Sequence, residues 1–108
     1  MDPEEYVERV LSLVEQVPPA RVTTYGAIAE AVGAGGPRRV GKVMSTYGGS
    51  VPWWRVVRAD GTLPLAEDGE SRARHLDEGT PLRPNGRVDM PRATWPLRPL
   101  GRLGMSGS

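Results

Sequence analysis

The stretch VPWWRVVRADG, residues 51–61, carries the side chains best suited to binding a ligand. Trp53 and Trp54 are two of only three tryptophans in a chain that has no phenylalanine. Adjacent side chains of a strand point to opposite faces, so an extended stretch cannot place both indoles in one core. We interpret one indole as a surface for a ligand, although a tryptophan pair in an arbitrary domain is mostly core.

Reactive side chains are scarce in this chain. It contains no cysteine, and His75 is its single histidine. These facts exclude disulfides, cysteine nucleophiles, thiolate metal sites and any site built on a histidine pair. We therefore expect neither a metal ion nor a cofactor, and we expect His75, which lies in a charged stretch, to be solvated.

The charges are segregated along the chain. Residues 1–30 hold six acids and two bases, whereas the segment from Ala31 to Ala59 has no acid and holds Arg38, Arg39, Lys42, Arg55 and Arg58. Such segregation is typical of a protein that binds a polyanion. A solvated basic face is the alternative, and charge alone does not choose between them.

Helix signals dominate the first half of the sequence. Asp2 can cap a helix that begins at Pro3 and ends before Pro18-Pro19. Thr23 or Thr24 opens a second helix, TYGAIAEAV, which Gly33 stops. A third helix begins at Pro37 and is predicted to have an apolar side of Val40, Val43, Met44 and Tyr47 and a polar side of Arg38, Lys42 and Ser45.

Two short helices joined by a glycine-containing turn, the second of them basic, predict a helix-turn-helix unit. A strand from Trp54 to Arg58, turned by Ala59-Asp60-Gly61, would follow it as a wing. Residues 66–78 can add one last short helix. We predict a mostly α fold with a small β wing.

The chain changes character after residue 80. From Gly79 it is rich in proline, glycine and arginine without periodicity. We predict one domain over residues 1–80 and an extended or partly disordered tail over residues 81–108. The acidic amino terminus has no signal-peptide pattern and no apolar run approaches 18 residues, so we expect a cytoplasmic protein without a membrane partner. We also expect a monomer.

Three motifs carry a resemblance to a known family. In order, VTTYGAIAEAVG, PRRVGKVM and VPWWRVVRADG resemble the DNA-binding domain of O6-alkylguanine-DNA alkyltransferases over roughly residues 4–80. That family carries a Pro-Cys-His-Arg-Val signature, and here Trp53 and Trp54 occupy the cysteine and histidine positions. The chain most resembles the alkyltransferase-like proteins, which have tryptophan for the cysteine but usually keep the histidine. It also has a short link between Met44 and Pro52, where the alkyltransferases have a longer segment.

The resemblance implies the winged helix-turn-helix fold of the alkyltransferase C-terminal domain and roles for individual residues. Arg38 would be the arginine finger that enters the minor groove and replaces the flipped nucleotide, and Gly41 would permit close approach to the groove. Trp53 and Tyr25 would line the lesion pocket, with Leu63 and Leu65 as weaker apolar walls and with Tyr25 also pressing the target phosphate. Trp54 would pack beneath the recognition helix, and Arg55 would tie its loop to the domain.

Each role has a plainer alternative. Arg38 could be an ordinary phosphate contact, Gly41 a site of tight helix packing and Tyr25 a half-buried surface residue. Further DNA contacts are expected from Thr24, Arg39, Lys42 and Ser45, whose charges or hydroxyls suit phosphates.

The absent thiol decides the expected activity. Indole nitrogen only donates hydrogen bonds, so Trp53 cannot attack an alkyl group as a thiolate does. We predict a non-enzymatic sensor that flips O6-alkylguanine out of double-stranded DNA and flags it for nucleotide excision repair proteins, nucleoid-associated when bound. The alternative is a winged-helix transcriptional regulator that reads the major groove with Arg38, Arg39 and Lys42. A glycosylase using Asp60 ranks third.

Overall fold

The structure is a computed structural model that describes residues 1–64 and 69–99. Its helices are α1 (Pro3–Glu15), α2 (Tyr25–Val32), α3 (Pro37–Tyr47), α4 (Glu70–Glu78) and the short α5 (Met90–Ala93). Strands β1 (Thr23–Thr24) and β2 (Val56–Val57) pair in parallel, with Thr23 opposite Val56 and Thr24 opposite Val57. The predicted mostly helical class with a small β element is confirmed.

Local signals set the helix ends as predicted. The Asp2 carboxylate accepts a hydrogen bond from Glu5 N at 2.7 Å and caps α1, which begins at Pro3. Thr24 caps α2 through its hydroxyl, 3.0 Å from Ala27 N. Gly33 follows α2 in the left-handed conformation that ends many helices.

One main core joins the first three helices to the residues around the tryptophans. Its buried members are valines, other aliphatic residues and one tyrosine: Tyr6, Val10, Leu13, Val14, Ile28, Ala29, Val32, Val40, Val43, Val51 and Val56. Tyr47, expected on the apolar side of α3, is instead 52% exposed. It lies in the last turn of the helix, at the edge of the groove between α1 and α3, where it is only partly covered.

The tryptophan pair does not lie in a strand, which corrects the predicted wing. Residues Trp53–Arg55 form a 3₁₀ helix, called here the tryptophan turn, and only Val56–Val57 are extended. Successive side chains of a 3₁₀ helix diverge by about 120° instead of 180°. The two indoles therefore stay in contact edge to face, with centroids 5.6 Å apart and planes at 88°.

The segment over residues 81–99 packs on the domain, contrary to the extended or partly disordered tail predicted from composition. Val88 and Ala93 are buried in a second cluster with Val22 and Val57. Isolated apolar residues can enter a core without local periodicity, so the sequence carried no signal for this packing. Residues 100–108 of the predicted tail lie outside the described residues.

Within the two described ranges, each helix is too short or too polar to cross a lipid bilayer. The same ranges contain no cluster of three or more histidine, aspartate or glutamate side chains arranged to hold a metal ion.

Candidate nucleic-acid interface

Two adjoining cavities open on the side of the domain where α2, α3 and the tryptophan turn meet. The larger has a volume of about 810 Å³ and the smaller about 360 Å³. Tyr25, Gly41 and Pro64 line both cavities and so form the boundary between them. The two spaces form a continuous concave site.

The larger cavity is bordered by positively charged groups. The amino-terminal ends of α2 and α3 both border it, through Tyr25 and Gly26 on one side and Pro37 and Arg38 on the other. Helix amino termini carry partial positive charge and unpaired backbone donors, so they attract anions. Arg38 and Arg58 add full charges from two different elements. The arrangement suits a phosphate-bearing ligand.

The smaller cavity offers a mostly apolar, aromatic lining. Trp53 of the tryptophan turn lines it together with Tyr25, Gly41, Met44, Ser45, Gly48, Gly49 and Pro64. Indole, phenol and thioether groups present flat or adaptable apolar surfaces on which a heteroaromatic ring can stack. The predicted pairing of Trp53 and Tyr25 at one cavity is found, with Met44 and Pro64 as partners that the sequence did not assign.

Tyr25 is kept neutral at the boundary of the two cavities. Burial raises the pKa of its phenol, while the nearby Arg58 charge acts in the lowering direction without cancelling it. A neutral phenol can both donate and accept a hydrogen bond. Tyr25 can therefore contact a phosphate oxygen as a donor.

Gly41 has no packing reason to be glycine. A Cβ at this position would meet no heavy atom within 4 Å, although Gly41 lies inside helix α3. The alternative that Gly41 allows tight helix packing is therefore wrong. Because both cavities are lined by Gly41, the open space above it is available to a ligand.

Glu78 of α4 anchors the tryptophan turn. Its carboxylate accepts hydrogen bonds from Trp54 Nε1 at 2.9 Å, from Arg55 Nη2 at 2.6 Å and from Ala20 N at 3.1 Å. Arg55 also donates to the Val17 carbonyl at 2.9 Å, which agrees with its expected structural role. Burial alone would raise the pKa of Glu78, but the hydrogen bonds from Arg55, Ala20 and Trp54 outweigh it and lower that pKa.

Trp54 packs against α4 and not beneath the recognition helix, which corrects the expectation. The Arg74 guanidinium lies 4.4 Å from the centroid of its ring, and the Arg55 guanidinium lies at 5.3 Å. Its indole N–H points to Glu78. The 3₁₀ geometry turns Trp54 toward α4 while Trp53 faces the smaller cavity, so the two indoles have separate environments.

His75 is fully buried, contrary to the solvated side chain expected from its charged surroundings. Its Nε2 lies 2.6 Å from the Trp54 carbonyl, which accepts the bond, and Nδ1 lies 2.8 Å from the Thr80 hydroxyl. Helix α4 is exposed on its other sides, and only one face enters the protein. His75 therefore supports the tryptophan turn from inside.

The remaining predicted DNA contacts divide between two faces of the domain. Thr24 lines the larger cavity while capping α2, and Ser45 lines the smaller one while its hydroxyl donates to the Lys42 carbonyl at 3.0 Å. Arg39 stacks over the ring of Tyr6 at 3.9 Å. Arg39 and Lys42 both line a separate groove between α1 and α3, away from Arg38.

Two leucines were proposed as pocket walls. Leu63 lines the larger cavity. Leu65 lies outside the described residues. Arg58 belongs to the basic segment identified from the sequence, but its place on the cavity wall becomes visible only once β2 is paired with β1.

Helices α2 and α3, joined by a glycine-containing turn, form the helix pair of a helix-turn-helix domain, and two helix amino termini, two arginines and an aromatic cavity lie beside this pair. The family model described as "6-O-methylguanine DNA methyltransferase, DNA binding domain" matches residues 5–79, and the chain belongs to this family.

Two bacterial relatives align with most of this chain. The DNA base-flipping protein of Escherichia coli (strain K12) is 34% identical over 97 residues, covering 85% of this chain and 75% of that protein. The protein of the same name from Vibrio parahaemolyticus is 28% identical and is covered over 97% of its length.

A solved structure has the same fold. The crystal structure of S. pombe Atl1 in complex with damaged DNA containing O6-carboxymethylguanine superposes with a TM-score of 0.76 at 27% identity. The match covers 88% of this chain and 98% of Atl1. The predicted similarity to the alkyltransferase-like proteins is confirmed.

Proposed function

We propose that this protein is a non-enzymatic sensor of alkylated DNA that extrudes an O6-alkylguanine and holds it in the cavity lined by Trp53. The observation that carries the proposal is the position of Trp53. The indole lines an aromatic cavity, at the position that the sequence resemblance assigns to the cysteine of the alkyltransferases.

The groups in the cavity suit binding better than alkyl transfer. Transfer requires a strong nucleophile, and neither indole, phenol nor thioether supplies one near neutral pH. The imidazole of His75 is engaged with Trp54 and Thr80 away from the cavity. Stacking against indole and contact with Met44 favour a flat base with an apolar substituent.

Base extrusion explains the larger cavity beside the aromatic one. Unstacking a nucleotide costs a few kcal/mol, and less for a poorly paired O6-alkylguanine than for guanine. Arg38 can enter the space that the base leaves, since guanidinium both stacks and donates hydrogen bonds. Tyr25, at the boundary, can hold the phosphate of the rotated nucleotide.

The relatives support the same activity. The name of the E. coli and Vibrio parahaemolyticus proteins is DNA base-flipping protein, and Atl1 was crystallised with DNA containing O6-carboxymethylguanine. Because binding leaves the lesion in place, a separate system must remove it. We propose that nucleotide excision repair proteins do so, and that the sensor acts as a cytoplasmic, nucleoid-associated monomer.

The regulator alternative has weaker support. It requires Arg38, Arg39 and Lys42 to read one groove together. Arg39 and Lys42 instead line the groove between α1 and α3, and the Arg39 guanidinium covers Tyr6.

A binding titration tests the proposal. The protein is titrated into a duplex with one O6-methylguanine and into the same duplex with guanine, and the mass of the recovered protein is measured. We expect tighter binding of the lesion duplex and an unchanged mass. Equal affinity for the two duplexes, or a protein heavier by one methyl group, would overturn the proposal.

A further inference from the structure

Arg58 stands beside Tyr25 because of the strand pairing. Thr24 is in register with Val57 in the parallel pair, so Tyr25 and Arg58 are the residues that directly follow the two strands. Tyr25 begins helix α2 and Arg58 begins the turn after β2, and both line the larger cavity. The Arg58 charge acts on the Tyr25 phenol, lowering its pKa against the effect of burial.

The turn that carries Arg58 is firmly held. Arg58 N donates to Thr62 O at 3.0 Å and Gly61 N donates to Arg58 O at 2.8 Å. Gly61 has φ of 88°, and a Cβ there would lie 2.6 Å from Val88 O, so only glycine fits. Val88 N donates to Gly61 O at 2.9 Å and joins the turn to the second core cluster.

The carboxylate nearest in sequence has other partners. Asp60 accepts a hydrogen bond from Thr62 N at 3.0 Å and pairs with Arg87 at 3.6 Å. In the ranges 1–64 and 69–99, no carboxylate forms an ion pair with Arg58. A guanidinium carried by a firmly held turn on a cavity wall, without an internal anion in these ranges, fits an external one.

We propose that Arg58, which lines the same cavity as Arg38, is a second anion-binding residue of this site and pairs with an oxyanion of the DNA that carries the lesion. Two sources offer that chemistry: a backbone phosphate beside the extruded nucleotide, or the carboxylate of an anionic alkyl group such as O6-carboxymethyl. The proposal rests on the proposed function and assigns to Arg58 a contact with the ligand itself.

The test compares wild type, Arg58→Ala, Arg58→Lys and Arg72→Ala on duplexes containing guanine, O6-methylguanine or O6-carboxymethylguanine. Arg72 is an exposed arginine of α4 that lines neither cavity, so its removal matches the change in net charge. We expect Arg58→Ala to bind about tenfold more weakly where the oxyanion is present, as for the loss of a charged hydrogen bond. Arg58→Lys should recover part of that loss.

The loss of affinity on each of the three duplexes identifies the source of the oxyanion. A phosphate contact predicts equal weakening on all three duplexes and a salt dependence reduced by about one ion. A carboxylate contact predicts a loss confined to the carboxymethyl lesion. Arg58→Ala behaving like Arg72→Ala on every duplex would overturn the proposal. The preference of the wild type for lesion over guanine tests the proposed function separately.

Discussion

Trp53 and Trp54 are neighbours in the chain, yet their indoles have different partners. Trp53 faces a cavity, whereas Trp54 donates its N–H to Glu78 and lies under Arg74. Both rings are only half buried, so neither is a simple core residue. One indole is available to a ligand, and the other fixes the turn that presents it.

Replacing Trp53 should change selectivity more than stability. Trp53→Ala removes a wall of the smaller cavity, and we expect the preference for an O6-methylguanine duplex to fall by about 1–2 kcal/mol while binding to plain DNA persists. Titrations on both duplexes measure the change. Tyr47→Ala is the control, since Tyr47 is an exposed aromatic residue outside both cavities. An unaltered preference in Trp53→Ala would contradict the assignment.

Replacing Trp54 should mainly affect stability. Trp54→Phe keeps an aromatic ring but removes the hydrogen bond to the Glu78 carboxylate, and we expect unfolding to become easier by about 1–2 kcal/mol. Urea denaturation followed by fluorescence or circular dichroism measures this. Trp95→Phe serves as the matched control because Trp95 is 37% exposed. If both variants lost the same stability, the Trp54–Glu78 bond would contribute nothing.

At the scale of the element, helix α3 divides its surface between two tasks. Arg38, Gly41 and Ser45 follow one stripe along the cavities, and Arg39 and Lys42 follow another along the groove beside α1. Residues three and four positions apart share a helix face. Once the orientation of α3 is known, the spacing of these residues therefore decides which of them line the cavities and which line the groove. The open space over Gly41 falls on the cavity stripe.

Gly41 offers a test in which stability and binding should change in opposite directions. Gly41→Ala places a methyl group in open space, and we expect the fold to gain about 0.5–1 kcal/mol because alanine favours a helix interior. DNA binding should weaken, because the methyl group occupies the surface that approaches the groove. Melting curves and titrations on one preparation provide both values. A stabilised variant with full affinity would show that DNA does not approach α3 at this point.

At the scale of the whole molecule, α4 holds together parts of the chain that are distant in sequence. Glu78 ties the tryptophan turn to the loop after α1, and His75 supports the same turn from within. The cavity wall is therefore only as stable as this buried polar cluster. Protonation of His75 should therefore change the free energy of unfolding of the whole domain.

Burial lowers the pKa of His75 from its ordinary 6.5, with Arg55 acting in the same direction and with the Trp54 carbonyl and Glu78 opposing. Below pH 6.5 the unfolded chain therefore binds a proton that the folded chain does not, and stability falls as pH decreases toward the folded-state pKa. Denaturation between about pH 5 and pH 8 measures this slope. We expect His75→Gln to flatten it, and an identical slope in the variant would contradict the origin in His75.

Helix α1, the Thr24 cap and the start of α3 at Pro37 could be predicted because capping and 3.6-residue periodicity depend on neighbouring residues. The order of the three family motifs likewise identified the family and assigned Trp53 and Tyr25 to one cavity. The predicted wing, the extended or disordered state of residues 81–99 and the burial of Tyr47 were wrong, since each depends on contacts with residues remote in the chain.

The sequence by itself determined the helical class, the family and the absence of a thiol at the signature position, because each depends on residue type and local spacing. Only the tertiary structure decided that Trp54 meets Glu78, that His75 is buried, that Arg39 turns to Tyr6 and that Arg58 stands beside Tyr25. These pairs join residues on different elements. Their meeting depends on how helices and strands pack, and no local pattern encodes it.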